Sequence, residues 1–169
     1  MMLFFPGKER FIMFKKLAAL GAALMLCFSL AGCGSTGKDI TVDVNALASE
    51  LKDGVTWQDT LEEIDPNVLS MMSDYDIEGV EKSVVYLGSG ATAEEITVLE
   101  CTDADAAKNQ VEPAMKQHIE NQITSFESYV PAEVAKLKDA VIRVGGKYVA
   151  VCVSDDSAAA EKIIDQYFK

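Results

Sequence analysis

The chain has 169 residues and a formal net charge of −12, with 27 acidic residues against 15 basic ones. A chain of this length builds about one domain. An acidic surface repels nucleic-acid phosphates and anionic lipid head groups. The composition therefore argues against a nucleic-acid-binding protein and leaves cations or basic partners as candidate ligands.

An export signal is predicted at the start of the chain. The basic pair Lys15-Lys16 precedes an apolar run over residues 17–30, and Leu30, Ala31, Gly32 and Cys33 then form a lipobox. In this pattern the cysteine thiol is lipidated and the residue becomes the new N-terminus after cleavage. We therefore expect a signal peptide at residues 1–32 and an extracytoplasmic protein, held by its lipid on the outer face of the cytoplasmic membrane.

An uncleaved transmembrane helix is the alternative interpretation of the same run. Its 14 residues are fewer than the roughly 20 that cross a bilayer, and a Gly/Ser-rich stretch follows instead of a stop-transfer flank. Met13-Phe14-Lys15-Lys16 begins a complete signal by itself. Residues 1–12 are therefore interpreted as an N-terminal extension that results from a mis-assigned start codon. Because residues 1–32 hold four basic residues and one acidic residue, the net charge without them becomes −15.

Two short helices are predicted after a lipidated tether at residues 33–39, at the start of a single globular domain over residues 40–169. Apolar residues at helical spacing predict an amphipathic helix over residues 44–51, which Gly54 ends. Asp65-Pro66 is typical of a helix start and predicts a second helix over residues 66–72.

Two β-hairpins are predicted next. The β-rich runs at residues 83–87 and 96–101 flank a glycine-containing turn. Residues 141–144 and 148–153 flank Gly145-Gly146, which is typical of a tight hairpin turn. Together these runs predict an antiparallel sheet.

A helix is predicted after each hairpin. Thr102-Asp103 caps a long helix that Pro113 should kink, and Ser154-Asp155 caps the last one. The buried stripe of the long helix is Val111, Met115, Ile119, Ile123 and Phe126. We expect an α+β fold with the helices packed on one face of the sheet. Each half of the domain thus consists of a hairpin, a polar cap and a helix. Two explanations of this likeness stay open: a duplicated ββα unit, or independent capping of two strand–helix junctions.

The second face of this sheet is unusually apolar. Strand alternation places Ile96, Val98, Glu100, Tyr148 and Ala150 on it. Two interpretations stay open: the face is a binding surface, or the two N-terminal helices cover it with Trp57 and Leu61. The same alternation makes Cys101 and Cys152 point to opposite faces, which predicts two free thiols.

Several stretches of the chain carry a family resemblance. They are Trp57, Leu61-Glu62-Glu63-Ile64-Asp65, Tyr75-Asp76-Ile77, Val85-Tyr86, residues 93–98, residues 147–156 and Tyr167-Phe168-Lys169. Over residues 39–169 the chain resembles an uncharacterised family of short bacterial surface lipoproteins, a domain of unknown function. The resemblance implies an exported protein with one compact α+β domain, and it carries over no catalytic or binding residues.

Candidate chemical sites are few. Asp74, Asp76 and Glu78 match the front of an EF-hand loop, but its twelfth position is Val85, so a solvated acidic loop is preferred over calcium. His118 is interpreted as a residue at the helix surface or boundary, because a lone histidine forms no metal cluster. The acid pairs Glu62-Glu63, Glu94-Glu95 and Asp155-Asp156 are interpreted as favourable charges near helix starts. No metal or cofactor is expected.

These observations favour a non-catalytic binding or accessory protein of the cell envelope. Its expected partners are the membrane, through the lipid, and an envelope protein, a wall component or a small ligand. One alternative is a small hydrolase that acts on the cell wall without a recognisable motif. Another is a weak calcium-binding module based on the acidic loop.

Overall fold

A computed structural model describes residues 40–169. The helices and strands of this range are numbered separately, in chain order. They are α1 (Val44–Gly54), β1 (Glu62–Glu63), α2 (Pro66–Leu69), β2 (Val80–Leu87), β3 (Glu95–Cys101), α3 (Ala104–Ala106, a π-helical turn Ala107–Val111, then Glu112–Tyr129), α4 (Val134–Lys138), β4 (Val141–Gly145), β5 (Tyr148–Val153) and α5 (Ser157–Tyr167).

The strands form one antiparallel sheet in the order β1-β2-β3-β5-β4. Both predicted hairpins are present, and they join through β3 and β5, where Val98 is opposite Ala150. The prediction of an α+β fold with an antiparallel sheet is confirmed. The two-residue strand β1 differs from the sequence-based prediction, which assigns its two glutamates to a helix start.

Helices cover both faces of this sheet, so the expectation of a single helical face is wrong in that detail. α1 and α5 pack on one face, whereas α3 and α4 pack on the other. Asp103, two residues after β3, caps α3, but the cap of α5 is Asp156, three residues after β5, not Asp155. The two strand–helix junctions therefore differ in length, and their helices leave on opposite faces. This arrangement favours independent capping over a duplicated ββα unit.

Pro113 is accommodated within α3 by a change of helix type. Proline has no N–H and its ring crowds the preceding turn of an α-helix. The π-helical turn Ala107–Val111 comes immediately before the segment in which Pro113 occupies the first turn. Such a widened turn is a recognised way to absorb an interruption in helical hydrogen bonding. The predicted buried stripe of α3 is confirmed, with Ile123 only partly buried.

The membrane-related predictions concern residues that the structure does not describe. Within residues 40–169, no helix is both long and apolar enough to cross a membrane. The predicted signal peptide, the lipobox with Cys33 and the tether up to residue 39 all lie outside the described residues. These assignments stay predictions.

Cys101 and Cys152 lie on opposite faces of the sheet, in different cores, and both are free, as predicted. Burial raises the pKa of Cys101 to about 11 and that of Cys152 to about 12. Both side chains are therefore neutral thiols at physiological pH, and a thiol is a poor nucleophile.

We expect two thiols to react with Ellman's reagent when the full chain carrying Cys27→Ser and Cys33→Ser is denatured without reductant. Neither thiol should react readily in the native protein, because both side chains are buried. Finding no free thiol after denaturation of an oxidised preparation would contradict the placement of the two cysteines.

Candidate functional site

The sheet face proposed as a binding surface is part of the protein interior. Ile96, Val98, Tyr148 and Ala150 are all buried in the core that α1 and α5 cover. Glu100 is half-buried, and its carboxylate lies 2.6 Å from the ammonium of Lys147. The prediction that these five residues form an exposed surface is therefore wrong.

The alternative interpretation, in which the two N-terminal helices cover this face with Trp57 and Leu61, is confirmed for the first helix only. α1 and the buried Leu61 pack on it, with Trp57 partly buried at the margin. The Trp57 indole donates a hydrogen bond to the Lys52 carbonyl oxygen at 2.9 Å. The second predicted helix, α2, contributes Leu69 to the core on the opposite side of the sheet. A candidate site must therefore be sought elsewhere.

Polar side chains instead meet on the other side of the sheet, around His118. This histidine is 2% exposed, so its assignment to the helix surface or boundary is wrong. Its Nε2 lies 2.8 Å from a carboxylate oxygen of Glu95 on β3, and its Nδ1 lies 3.4 Å from Asp74. The Tyr75 hydroxyl is 3.3 Å from Nε2, and the tyrosine and histidine rings are 5.1 Å apart. One imidazole thus joins three segments of the chain.

The periodicity of each element explains why these side chains point inward. His118 lies on the same helical face as Met115 and Ile119, both of which are buried. Glu95 starts β3 and shares a strand face with Thr97, whose hydroxyl donates to the Glu95 carboxylate at 2.6 Å. Glu94 and Glu95 are therefore not helix-start charges but buried groups at the beginning of a strand. The inward positions of His118 and Glu95 could have been found from these periodicities, but their pairing could not.

The carboxylates determine the protonation of this cluster. Burial by itself lowers the pKa of His118. The hydrogen bonds and negative charges of Glu95 and Asp74 outweigh that effect, so the pKa lies above its ordinary value. Burial, followed by the charge of Glu95, raises the pKa of Tyr75 far above its ordinary value. The imidazolium form is therefore stabilised, while the phenol remains neutral.

A second buried ionic group surrounds Lys136 on α4. Its ammonium lies 3.0 Å from Glu133, 3.4 Å from Glu94 and 3.6 Å from Asp155. Burial lowers the pKa of Lys136, but the hydrogen bond to Glu133 and the surrounding negative charges outweigh that effect and raise it. Glu94 also accepts hydrogen bonds from the backbone N–H groups of Gln58 and Asp59. This group joins the loop before β1 to α4 and is fully engaged in structural contacts.

A cleft of about 320 Å³ lies directly outside the His118 cluster, between residues 73–78 and α3. We call residues 73–78 the acidic loop. The cleft is lined by Ser73, Asp74, Asp76, Ile77, Glu78, Ala114, Gln117, His118 and Asn121. Three carboxylates and two amides thus line the cleft, together with the imidazole and the apolar side chains of Ile77 and Ala114. Side chains of this kind recognise a ligand through charge and hydrogen bonds, and they favour a positive charge.

The acidic loop does not form the EF-hand-like arrangement that its spacing resembled. Asp74 is instead hydrogen-bonded to His118, and a strand follows the loop. Within residues 40–169, no group of three or more histidine, cysteine, aspartate or glutamate side chains is arranged to hold a metal ion.

Comparison with known proteins identifies the family. A family model described as a domain of unknown function, DUF4358, matches residues 58–154. This range includes all five strands and α3, together with the acidic loop, Glu95 and His118. The chain matches neither a curated protein nor a solved structure. Because the matched range is more than half of the chain, the protein belongs to the DUF4358 family.

Proposed function

We propose that the protein is a lipid-anchored, extracytoplasmic domain of the cell envelope that binds a partner and does not catalyse a reaction. The lipobox that ends at Cys33 carries this proposal, because a lipidated cysteine at that place fixes both the location and the mature N-terminus. The folded domain begins soon afterwards, since Val42 is already buried and Ile40 packs against the same core. The anchor would therefore hold the domain close to the bilayer.

The state of the reactive side chains supports binding over catalysis. Both cysteines of the described domain are buried, with pKa values raised by burial. His118 is committed to Glu95 and Asp74. Each of these groups is used to stabilise the fold, and a nucleophile or general base must instead reach a substrate.

The cleft beside the acidic loop is the surface that we propose for binding. Asp74, Asp76 and Glu78 are exposed along it, and none of its lining residues is a lysine or an arginine. A ligand with a positively charged group, on a small molecule or on a basic segment of an envelope protein, complements this charge.

The anchoring can be tested through the cysteines of the N-terminal region. Cys33→Ser is expected to abolish signal cleavage and to release the protein from lipid attachment. Cys27→Ser, which removes a thiol from the apolar run, should leave both unchanged. The measurement is the gel mobility of the protein with and without globomycin, an inhibitor of lipoprotein signal cleavage. Unchanged mobility with globomycin, or equal behaviour of the two variants, would contradict lipidation at Cys33.

Partner binding can be tested by photo-crosslinking in cells. A photo-reactive amino acid at Asp76 is expected to capture a discrete partner, identified by mass spectrometry, from the anchored protein. The same amino acid at Lys162, which is exposed on α5 on the other side of the sheet, serves as the matched control. Identical products at both positions, or none at Asp76, would contradict the cleft as the binding surface.

A further inference from the structure

We infer that His118 acts as a pH-dependent latch: its protonated ring fastens the acidic loop to the sheet and so maintains the shape of the cleft. The significance of the latch for ligand binding rests on the proposed function, but the latch itself follows from the geometry of three segments. Asp74 and Tyr75 come from the loop, His118 from α3 and Glu95 from β3.

The acidic loop has few other polar ties to the described part of the chain. Within the loop, the backbone hydrogen bonds are local: the N–H groups of Tyr75 and Asp76 both donate to the Met72 carbonyl oxygen, at 3.0 and 3.2 Å. Directly after the loop, the Gly79 carbonyl oxygen accepts from the Thr102 N–H at 2.9 Å. The side-chain bonds that leave the loop run from Asp74 to His118 and from Tyr75 to His118, Glu95 and Thr97. Weakening this junction therefore loosens the loop without breaking the strand ladder, and the packing of Tyr75 in the core becomes its main attachment.

The chemistry of imidazole makes the junction sensitive to protonation. An imidazolium donates from both ring nitrogens and can satisfy Glu95 and Asp74 together, whereas neutral imidazole has only one N–H. Glu95 is buried and Asp74 is exposed, so the remaining proton is better placed on Nε2, toward Glu95. The unprotonated Nδ1 then presents a lone pair to the Asp74 carboxylate. Because Nδ1 and the Asp74 carboxylate are then both hydrogen-bond acceptors, they no longer bind each other, and Asp74 is released to solvent.

The titratable groups that face His118 come from the acidic loop and from β3. Asp74 and Tyr75 face the ring from the loop, and Glu95 faces it from β3 beside the uncharged Thr97. The pKa of Tyr75 is raised, so its hydroxyl stays protonated. His118 is the single histidine of the chain, and histidine is the side chain whose ordinary pKa lies between about 5 and 8.

The sign of the pH effect follows from linkage. Because the pKa of His118 is raised in the latched state, its contribution to stability is fully present below the ordinary histidine pKa. That contribution is lost as the pH rises through the raised pKa. The latch is therefore closed at mildly acidic pH and opens toward alkaline pH.

The loop is also one wall of a second groove, so an open latch changes two surfaces together. A groove of about 150 Å³ lies on the far side of the loop and is lined in part by Leu69, Tyr75, Ile77 and Val80. Tyr75 separates this groove from the histidine cluster. A shift of Tyr75 with the loosened loop would therefore change both openings.

The test uses the full chain in detergent micelles and two NMR measurements across about pH 5.5 to 9. The ring signals of the single histidine are expected to titrate with a midpoint above the ordinary value. Hydrogen-exchange protection factors of the Tyr75 and Asp76 amides should fall by about threefold or more over the same range and with the same midpoint. The amides of Ile163 and Ile164, which are buried in the opposite layer, serve as the internal control and should keep their protection.

Two variants sharpen the test. Asp74→Asn alters a partly exposed group and should lower the histidine midpoint, while His118→Gln should abolish the pH dependence of loop protection. If His118→Gln does not fold, the unmodified chain and Asp74→Asn still decide the question. A midpoint at or below the ordinary value would overturn the latch, as would a raised midpoint without loss of loop protection. Neither result depends on crosslinking at Asp76, so the latch and the proposed binding role can fail independently.

Discussion

Replacing Lys136 with methionine is expected to reduce the free energy of unfolding by about 3–5 kcal/mol, because it leaves buried carboxylates without their cation. Lys136 is 4% exposed, and its ammonium lies within 3.6 Å of Glu94, Glu133 and Asp155. Methionine can replace most of the aliphatic stem but none of the charge. The measurement is equilibrium unfolding in urea, followed by circular dichroism.

Lys116→Met is the matched control for this experiment. Lys116 pairs with Glu112 at 2.7 Å across one turn of α3, but its side chain is 59% exposed. An exposed pair of this spacing contributes about 0.3–0.5 kcal/mol, so this variant should be almost as stable as the parent. If both substitutions cost less than about 1 kcal/mol, the buried group around Lys136 is not held as an ion pair.

Tyr148→Glu is expected to destabilise the domain by at least about 3 kcal/mol, because it places an unpaired carboxylate in an apolar core. Tyr148 is 4% exposed and lies in the core covered by α1 and α5. On β5 it is opposite Glu100, which is already a negative charge. Thermal unfolding and urea unfolding measure the loss.

Tyr148→Phe separates burial from the role of the hydroxyl. Phenylalanine preserves the ring and its packing, and this variant should stay within about 1 kcal/mol of the parent. A Tyr148→Glu protein that keeps its stability but no longer binds a partner would instead support the interpretation of this face as an exposed binding surface.

Local patterns in the sequence were sufficient to predict the main elements of the fold. Helical spacing located α1 and the stripe of α3, and the turn at Gly145-Gly146 located the second hairpin. Strand alternation also placed Cys101 and Cys152 on opposite faces. Each of these features depends on residues that are near one another in the chain, where periodicity is informative.

The candidate site depends on residues that are distant in sequence. Asp74, Glu95 and His118 come together only after the loop, strand and helix have packed. Each residue alone has an ordinary explanation as a solvated acid, a capping acid or a surface histidine. The placement of the helices on both faces of the sheet could not be predicted for a related reason. The strand–helix connections before α3 and α5 differ in length by one residue, and this difference is too small to indicate which face each helix covers.

The packing of α1 against α5 has a consequence for the biogenesis of the protein. α1 is the first described element and α5 the last, and the Tyr167 hydroxyl donates to the Glu50 carboxylate at 2.7 Å across them. The core beneath them therefore stays open until α5 has been synthesised and is free to dock. A chain that has not yet reached α5 would expose this apolar sheet face to solvent, and transiently exposed apolar surface favours aggregation and chaperone binding. Docking of α5 therefore completes this core.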